Sequence, residues 1–218
     1  HTMLSIEDDA GIERVLAGKK TRLVYFESPT NPVTRIADIA RLTRAAHAAG
    51  ALTVMDNTFA GFHNHGQYGV DVFVHSLTKY ASGHGDVMGG AIITRTDLAK
   101  EIRREGVLLG PLLDPHAAFL VMRGMKTYYL RYEAQAAAAL KIAQFLAGHP
   151  AVSRVHYPGL PDHPRHALAR ARARARRGLR RGAAGGFRGA RRAGERVRLC
   201  AFAAGSRRVR ARDHAARP

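Results

Sequence analysis

Four residues of this 218-residue chain have types and spacing that can work together as one chemical site: Asp56, Ser76, Thr78 and Lys79. Lys79 follows Val70 to Val74, a β-branched and aromatic run that reads as a buried strand. At the end of such a strand a lysine is partly desolvated, which favours its neutral amine and lets it attack a carbonyl to form a Schiff base. Ser76 and Thr78 lie just before it, and their hydroxyls can hold a phosphate beside the aldehyde that the lysine captures. Pyridoxal phosphate (PLP) is a cofactor that needs both a lysine and a phosphate clamp. Ser-x-Thr-Lys alone is a weak signal. Its support lies upstream, where the apolar run Ala51 to Met55 reads as a strand ending on Asp56-Asn57-Thr58. A carboxylate there suits a pyridine nitrogen that must stay protonated for the ring to act as an electron sink.

The surrounding elements have to bring these strand ends together. Arg22 to Phe26 reads as a strand that stops at the Pro-rich loop Ser28 to Pro32. Ile36, Ile39, Ala40 and Ala46 mark an amphipathic helix closed by Gly50, and Leu52 to Met55 returns as a strand. This is a βαβ unit, which predicts parallel strands with ligands bound beyond their carboxyl ends. Leu4 to Ile6 reads as a strand, Asp8 to Leu16 as a helix and Gly90 to Thr94 as a further strand. Leu98 to Arg104 and Ala117 to Gly148 read as helices, the second opened by Asp114 as N-cap and Pro115 at the first helical position. Tyr128, Tyr129 and Tyr132 are assigned to packing. His63 and His65 lack a third ligand at metal-binding spacing and are read as surface-loop residues. The glycines at 83, 85, 89 and 90 suit close backbone approach near the cofactor but do not form a dinucleotide fingerprint.

Several ordered blocks carry a family resemblance: Glu27-Ser28-Pro29-Thr30-Asn31-Pro32, Asp56-Asn57-Thr58-Phe59, His75 to Tyr80, Gly83 to Gly90, Leu120 to Thr127, His149 to Val152 and Val155 to Leu160. Together they resemble the signature blocks of the Cys/Met-metabolism PLP enzymes, which include cystathionine γ-synthase, the cystathionine lyases, methionine γ-lyase and O-acetylhomoserine sulfhydrylase. The resemblance implies an α/β fold, namely part of the large domain of a fold type I, aspartate aminotransferase-like PLP enzyme. It implies Lys79 as the Schiff-base lysine, Asp56 as the partner of the pyridine nitrogen, Ser76 and Thr78 at the phosphate and Asn31 beside the cofactor ring near its 3-hydroxyl. The residues themselves point to the first four and say nothing of Asn31, which would otherwise be a turn residue before Pro32. His84 and Asp86 fall in what the resemblance marks as a structural loop. The implied activity is β/γ-elimination or γ-replacement on sulfur amino acids or activated homoserine. The implied assembly is a homo-oligomer, in the family usually a tetramer built from dimers that share active sites.

The resemblance divides the chain into a partial large domain (1–140), the start of a small C-terminal domain (141–169) and an Arg/Ala/Gly-rich tail (170–218). It also implies that the large domain begins before His1. The net charge is +18 and sits mostly in the tail, where only Glu195 and Asp213 oppose the arginines. Such a tail reads as a basic arm for nucleic acid or as a GC-rich gene translated out of frame. The second reading is preferred, because the family pattern runs to Ala169 and then stops, while Gly185 to Phe187 and Glu195 to Leu199 still resemble the small domain. Nucleic acid is therefore not the expected partner. Cys200 is the only cysteine, which excludes an internal disulfide, and no apolar run is long enough to span a bilayer. A cytoplasmic protein is expected.

Overall fold

The computed structural model describes residues 1–62, 65, 67–173 and 198–202, the last segment through its backbone alone. Helix α1 (Asp9–Gly18) is capped by the Asp8 carboxylate, which accepts the Gly11 N–H at 2.9 Å. Helix α2 (Ile39–Ala48) is capped in the same way by Asp38, which accepts from Arg41 N–H at 3.0 Å. Its buried residues Ile39, Leu42, Thr43 and Ala46 recur at helical spacing and form the stripe that packs on the sheet. Gly50, at φ +72°, turns the chain out of α2 and into β2 (Leu52–Asp56).

The sheet has the order β1-β2-β3-β4-β5. β1 (Leu23–Glu27), β2 and β3 (Val72–Ser76) run parallel, with Glu27 level with Asp56 and Asp56 level with Val74. β4 (Gly90–Thr94) and β5 (Arg198–Phe202) are antiparallel additions. The βαβ reading of β1, α2 and β2 therefore agrees with the structure, both strands ending one residue later than their patterns suggested. Leu4 to Ile6 forms no strand; the side chain of Ile6 packs against the core instead.

Alternate residues divide the sheet into two unlike faces. Phe26, Met55, Phe73 and Ile93 stand in one register row and are all buried with Ile39 and Leu42 of α2. On the other face Leu23 and Tyr25 are 52% and 61% exposed, and Leu52 is exposed as well. A parallel sheet is ordinarily covered on both faces. Among the described residues the first two strands are covered on one.

Helices α3 (Thr96–Leu109), α4 (Pro115–Met125) and α5 (Tyr128–Ala147) follow β4, and a further helix, α6, includes residues 166–173. Asp114 caps α4 as expected, accepting from His116 and Ala117 N–H at 3.0 Å, with Pro115 in the first turn. The single helix expected from Ala117 to Gly148 is broken at Lys126 and Thr127. The break follows Gly124, which lies so close to the backbone of Ala81 and Ser82 that a Cβ there would collide with it. α5 crosses residue 140 without interruption. No helix among the described residues is long and apolar enough to cross a membrane.

Asp71 pins the amino-terminal edge of the sheet. Its carboxylate accepts the Thr53 N–H and hydroxyl, each at 2.8 Å, His47 Nε2 at 2.9 Å and Arg95 Nη1 at 2.8 Å. Burial pushes this carboxyl up, but the Thr53 and His47 hydrogen bonds and the His47 charge outweigh it and hold Asp71 below its usual range.

Candidate active site

β1 and β2 end level with one another at Glu27 and Asp56, β3 runs two residues further to Ser76, and a set of local bonds ties these ends together. Asp56 accepts the Thr58 N–H at 2.9 Å, which curls the chain immediately after β2. The Asn57 N–H donates to Val74 O at 2.9 Å, and the Ser76 N–H donates to the Thr58 hydroxyl at 2.8 Å. The turn after β2 is thereby stapled to the end of β3. Strand alternation places Glu27, Asp56 and Ser76 on the open face, in line with Tyr25, Val54 and Val74.

β3 leads directly into one π-helical turn, Leu77–Ala81. The Ser82 N–H closes it on Leu77 O at 3.0 Å, and the Ser82 hydroxyl and Gly83 N–H donate to the carbonyls of Thr78 and Lys79 at 3.2 and 2.9 Å. Lys79 itself departs from helical geometry, with φ −87° and ψ −114°. The entry to the turn is tied to the start of β4: Leu77 N–H donates to Gly89 O at 2.8 Å, and the Thr78 hydroxyl accepts Gly89 N–H at 3.0 Å. π turns recur at functional sites in folded proteins.

A cleft of about 550 Å³ opens over these strand ends, lined by Glu27, Asn31, Asp56, Thr58, Phe59, Ser76, Lys79, Tyr80, Gly83 and Gln135. Four of the five residues singled out from sequence meet there: Lys79, Asp56, Ser76 and Asn31. Thr78 does not line it, and its hydroxyl faces Gly89. Lys79 is exposed rather than partly desolvated, because the π turn carries it past the strand into the cleft mouth. Asn31 is held by its backbone N–H, which donates to Glu27 Oε2 at 3.1 Å. Burial raises the Tyr80 phenol above its usual range, and burial with the charges of Asp56 and Glu27 does the same for Tyr25.

Gln135 and Arg172 escaped sequence reading, since both arrive from helices distant in the chain. Arg172 of α6 is buried and donates to Ser28 O at 2.7 Å and to Asn57 Oδ1, behind the residue that follows Asp56. Burial pulls its guanidinium down to about 10. Residues 170–173 thus continue a helix, while most of the basic tail lies outside the described residues. His65 is not a surface-loop residue: its ring meets the edge of Phe73, and its Nε2 lies 2.8 Å from Nε2 of the buried His75. His63 lies outside the described residues. Tyr128 and Tyr132 pack as expected, Tyr128 Oη accepting the Phe62 N–H at 3.0 Å and Tyr132 Oη donating to Phe59 O at 2.8 Å. His84 bonds Ser82 O and Asp86 pairs with Arg123 at 2.9 Å, in keeping with a structural loop.

The cleft offers an exposed primary amine, a carboxylate at a strand end and a serine hydroxyl at the approach to the amine. That donor set fits PLP, which requires an amine to capture its aldehyde, an anion at its ring nitrogen and hydroxyls at its phosphate.

Comparison with known proteins agrees with this reading. The model of the family described as Cys/Met metabolism PLP-dependent enzyme matches residues 1–202. Cystathionine γ-synthase 1, chloroplastic, of Arabidopsis thaliana is 44% identical over 171 residues, which are 78% of this chain and 30% of that protein. L-methionine γ-lyase of Pseudomonas deceptionensis is 46% identical over 157 residues, 70% of this chain and 39% of that protein. Among solved structures, cystathionine γ-lyase from Lactobacillus plantarum complexed with L-serine superposes with a TM-score of 0.74 at 38% identity, covering 78% of this chain and 45% of that one. The chain therefore spans less than half the length of each of these three relatives.

Proposed function

The chain belongs to the Cys/Met metabolism PLP-dependent enzyme family, and we propose on that basis that its cleft is the lysine side of a PLP site. The proposed activity is β/γ-elimination or γ-replacement on sulfur amino acids or activated homoserine. One observation carries the reading: Lys79, Asp56, Ser76 and Asn31, drawn from three separate stretches of the chain, line the same cleft. When bound, PLP supplies an aldehyde that captures an amine and a protonated ring that draws off electrons from the substrate α-carbon.

Lys79 is the amine that would hold the cofactor, and its free Nζ would take the substrate α-proton and carry it onward. Asp56, fixed by the Thr58 N–H, would hold the proton of the ring nitrogen in place. Ser76 would bind the phosphate. Thr78 would join it by turning its hydroxyl proton away from Gly89 O, to which it donates at 3.5 Å, while its oxygen keeps the bond it accepts from Gly89 N–H. Asn31, whose backbone N–H is anchored by Glu27, would contact the ring. The substrate is a small amino acid, and the working protein is a homo-oligomer in a cytoplasmic compartment. Residues 1–140 belong to the large domain and 141–169 open the small one.

Absorbance spectroscopy tests this reading. The full chain mixed with PLP is expected to develop a visible band that Lys79→Ala abolishes while keeping the far-UV spectrum of the parent. An identical band in Lys79→Ala, or none in the parent, would overturn it and leave a non-catalytic member of the family.

A further inference from the structure

The π turn that carries Lys79 ends without a helix to continue it, so its last carbonyls need donors from elsewhere. Leu77 O, Thr78 O and Lys79 O are taken by Ser82 and Gly83. The two that remain, Tyr80 O and Ala81 O, are both met by the guanidinium of Arg131 on α5, Nη1 at 2.9 Å and Nη2 at 3.3 Å. The same guanidinium donates from Nη2 to Gly124 O at the end of α4 at 2.7 Å and from Nε to the Thr127 hydroxyl at 3.0 Å. One planar fork thus spans three elements, using the donor geometry that lysine lacks. The backbone is shaped to admit it. Gly83 sits at φ +69°, where a side chain would be strained, and a Cβ there would occupy the space of the Arg131 guanidinium.

Resting on the proposed role of Lys79, we infer that Arg131 is a positioning residue for that lysine. It is not among the residues that line the cleft. By closing the carbonyl end of the π turn against α4 and α5, it fixes the backbone from which Lys79 reaches the cleft. Catalytic groups lose function steeply when displaced by about an ångström, and nothing else among the described residues donates to Tyr80 O or Ala81 O.

The test uses the full chain, with PLP as the probe. Borohydride trapping would be timed on Lys79 in the parent, Arg131→Met and Arg131→Lys, alongside thermal melting and the pH profile of the visible band. The expected result is that Arg131→Met slows labelling of Lys79 by roughly 10- to 100-fold and moves the midpoint of the pH profile. Arg131→Lys, which keeps the charge but loses the fork, should fall between. A merely structural role would lower the melting temperature and leave labelling rate and pH midpoint alike in the folded variants, and that result would overturn the inference. If Arg131→Met does not fold, Arg131→Lys is judged by the same two readouts. If the parent itself takes no label on Lys79, the proposed function fails, and amide exchange decides the positioning role separately. Faster exchange of residues 79–83 in Arg131→Met than in the parent would then support it, and equal exchange would overturn it.

Discussion

The two faces of the sheet are built from alternate residues of the same strands, yet they do different work. On one face Phe26, Met55, Phe73 and Ile93 are sealed under α2, and the row beyond them ends in buried Ser28, Asn57 and His75. On the other, Leu23, Tyr25 and Leu52 stay exposed and the strands end in Glu27, Asp56 and Ser76, which line the cleft. Stability is concentrated where side chains are packed on both sides, and chemistry where the strand ends remain open. Because a strand alternates at every residue, a one-residue slip would exchange the two sets. The register that buries Met55 is therefore the register that presents Asp56.

Substitutions at matched positions would sharpen or break this contrast. Phe73→Ala should cost about 3–5 kcal/mol, the usual range for deleting a buried phenyl group. Tyr25→Ser, across the sheet on the open face, should cost within about 0.5 kcal/mol. Denaturant melts of the two variants check this, and equal losses would erase the distinction between the faces. Next in size is a pH effect on the buried side. Burial and the nearby Arg172 charge lower His65 to about 4, so the unfolded chain binds a proton near pH 6.5 that the folded chain refuses. The stability due to a neutral His65 is complete above pH 6.5 and is lost as pH falls toward 4, on the order of 3 kcal/mol in all. His65→Phe should flatten that part of a stability-against-pH curve. Smaller again is the Asp71 pin. Asp71→Ala should cost about 1–3 kcal/mol by leaving Thr53 N–H without its acceptor. Since the native carboxyl is held low, its contribution persists above the ordinary carboxylate pKa and disappears only as pH drops through the native value.

The sequence made the strand ends legible because apolar runs that stop abruptly at Asp56 and before Lys79 leave few other places for those residues. The same reading failed where partners come from afar. Arg131 and Gln135 lie on a helix whose sequence shows only helical character, and neither the guanidinium's three-element span nor the glutamine's place in the cleft has a local signature. Leu4 to Ile6 has strand composition but no ladder to join, so tertiary context decided against it. The helix break after Gly124 was hidden for a related reason, since nothing near that glycine announces the backbone of Ser82 packed upon it. Desolvation of Lys79 was expected from the buried strand before it. The intervening π turn, which pattern reading does not anticipate, places the lysine in the cleft mouth instead.

The most direct measurement is to treat the full chain with PLP, reduce with borohydride and map the modified peptide. The chain carries its own controls in Lys19, Lys20, Lys100, Lys126 and Lys141. The account predicts that the label concentrates on Lys79, at the open end of the sheet. A label spread evenly over the six lysines would contradict it.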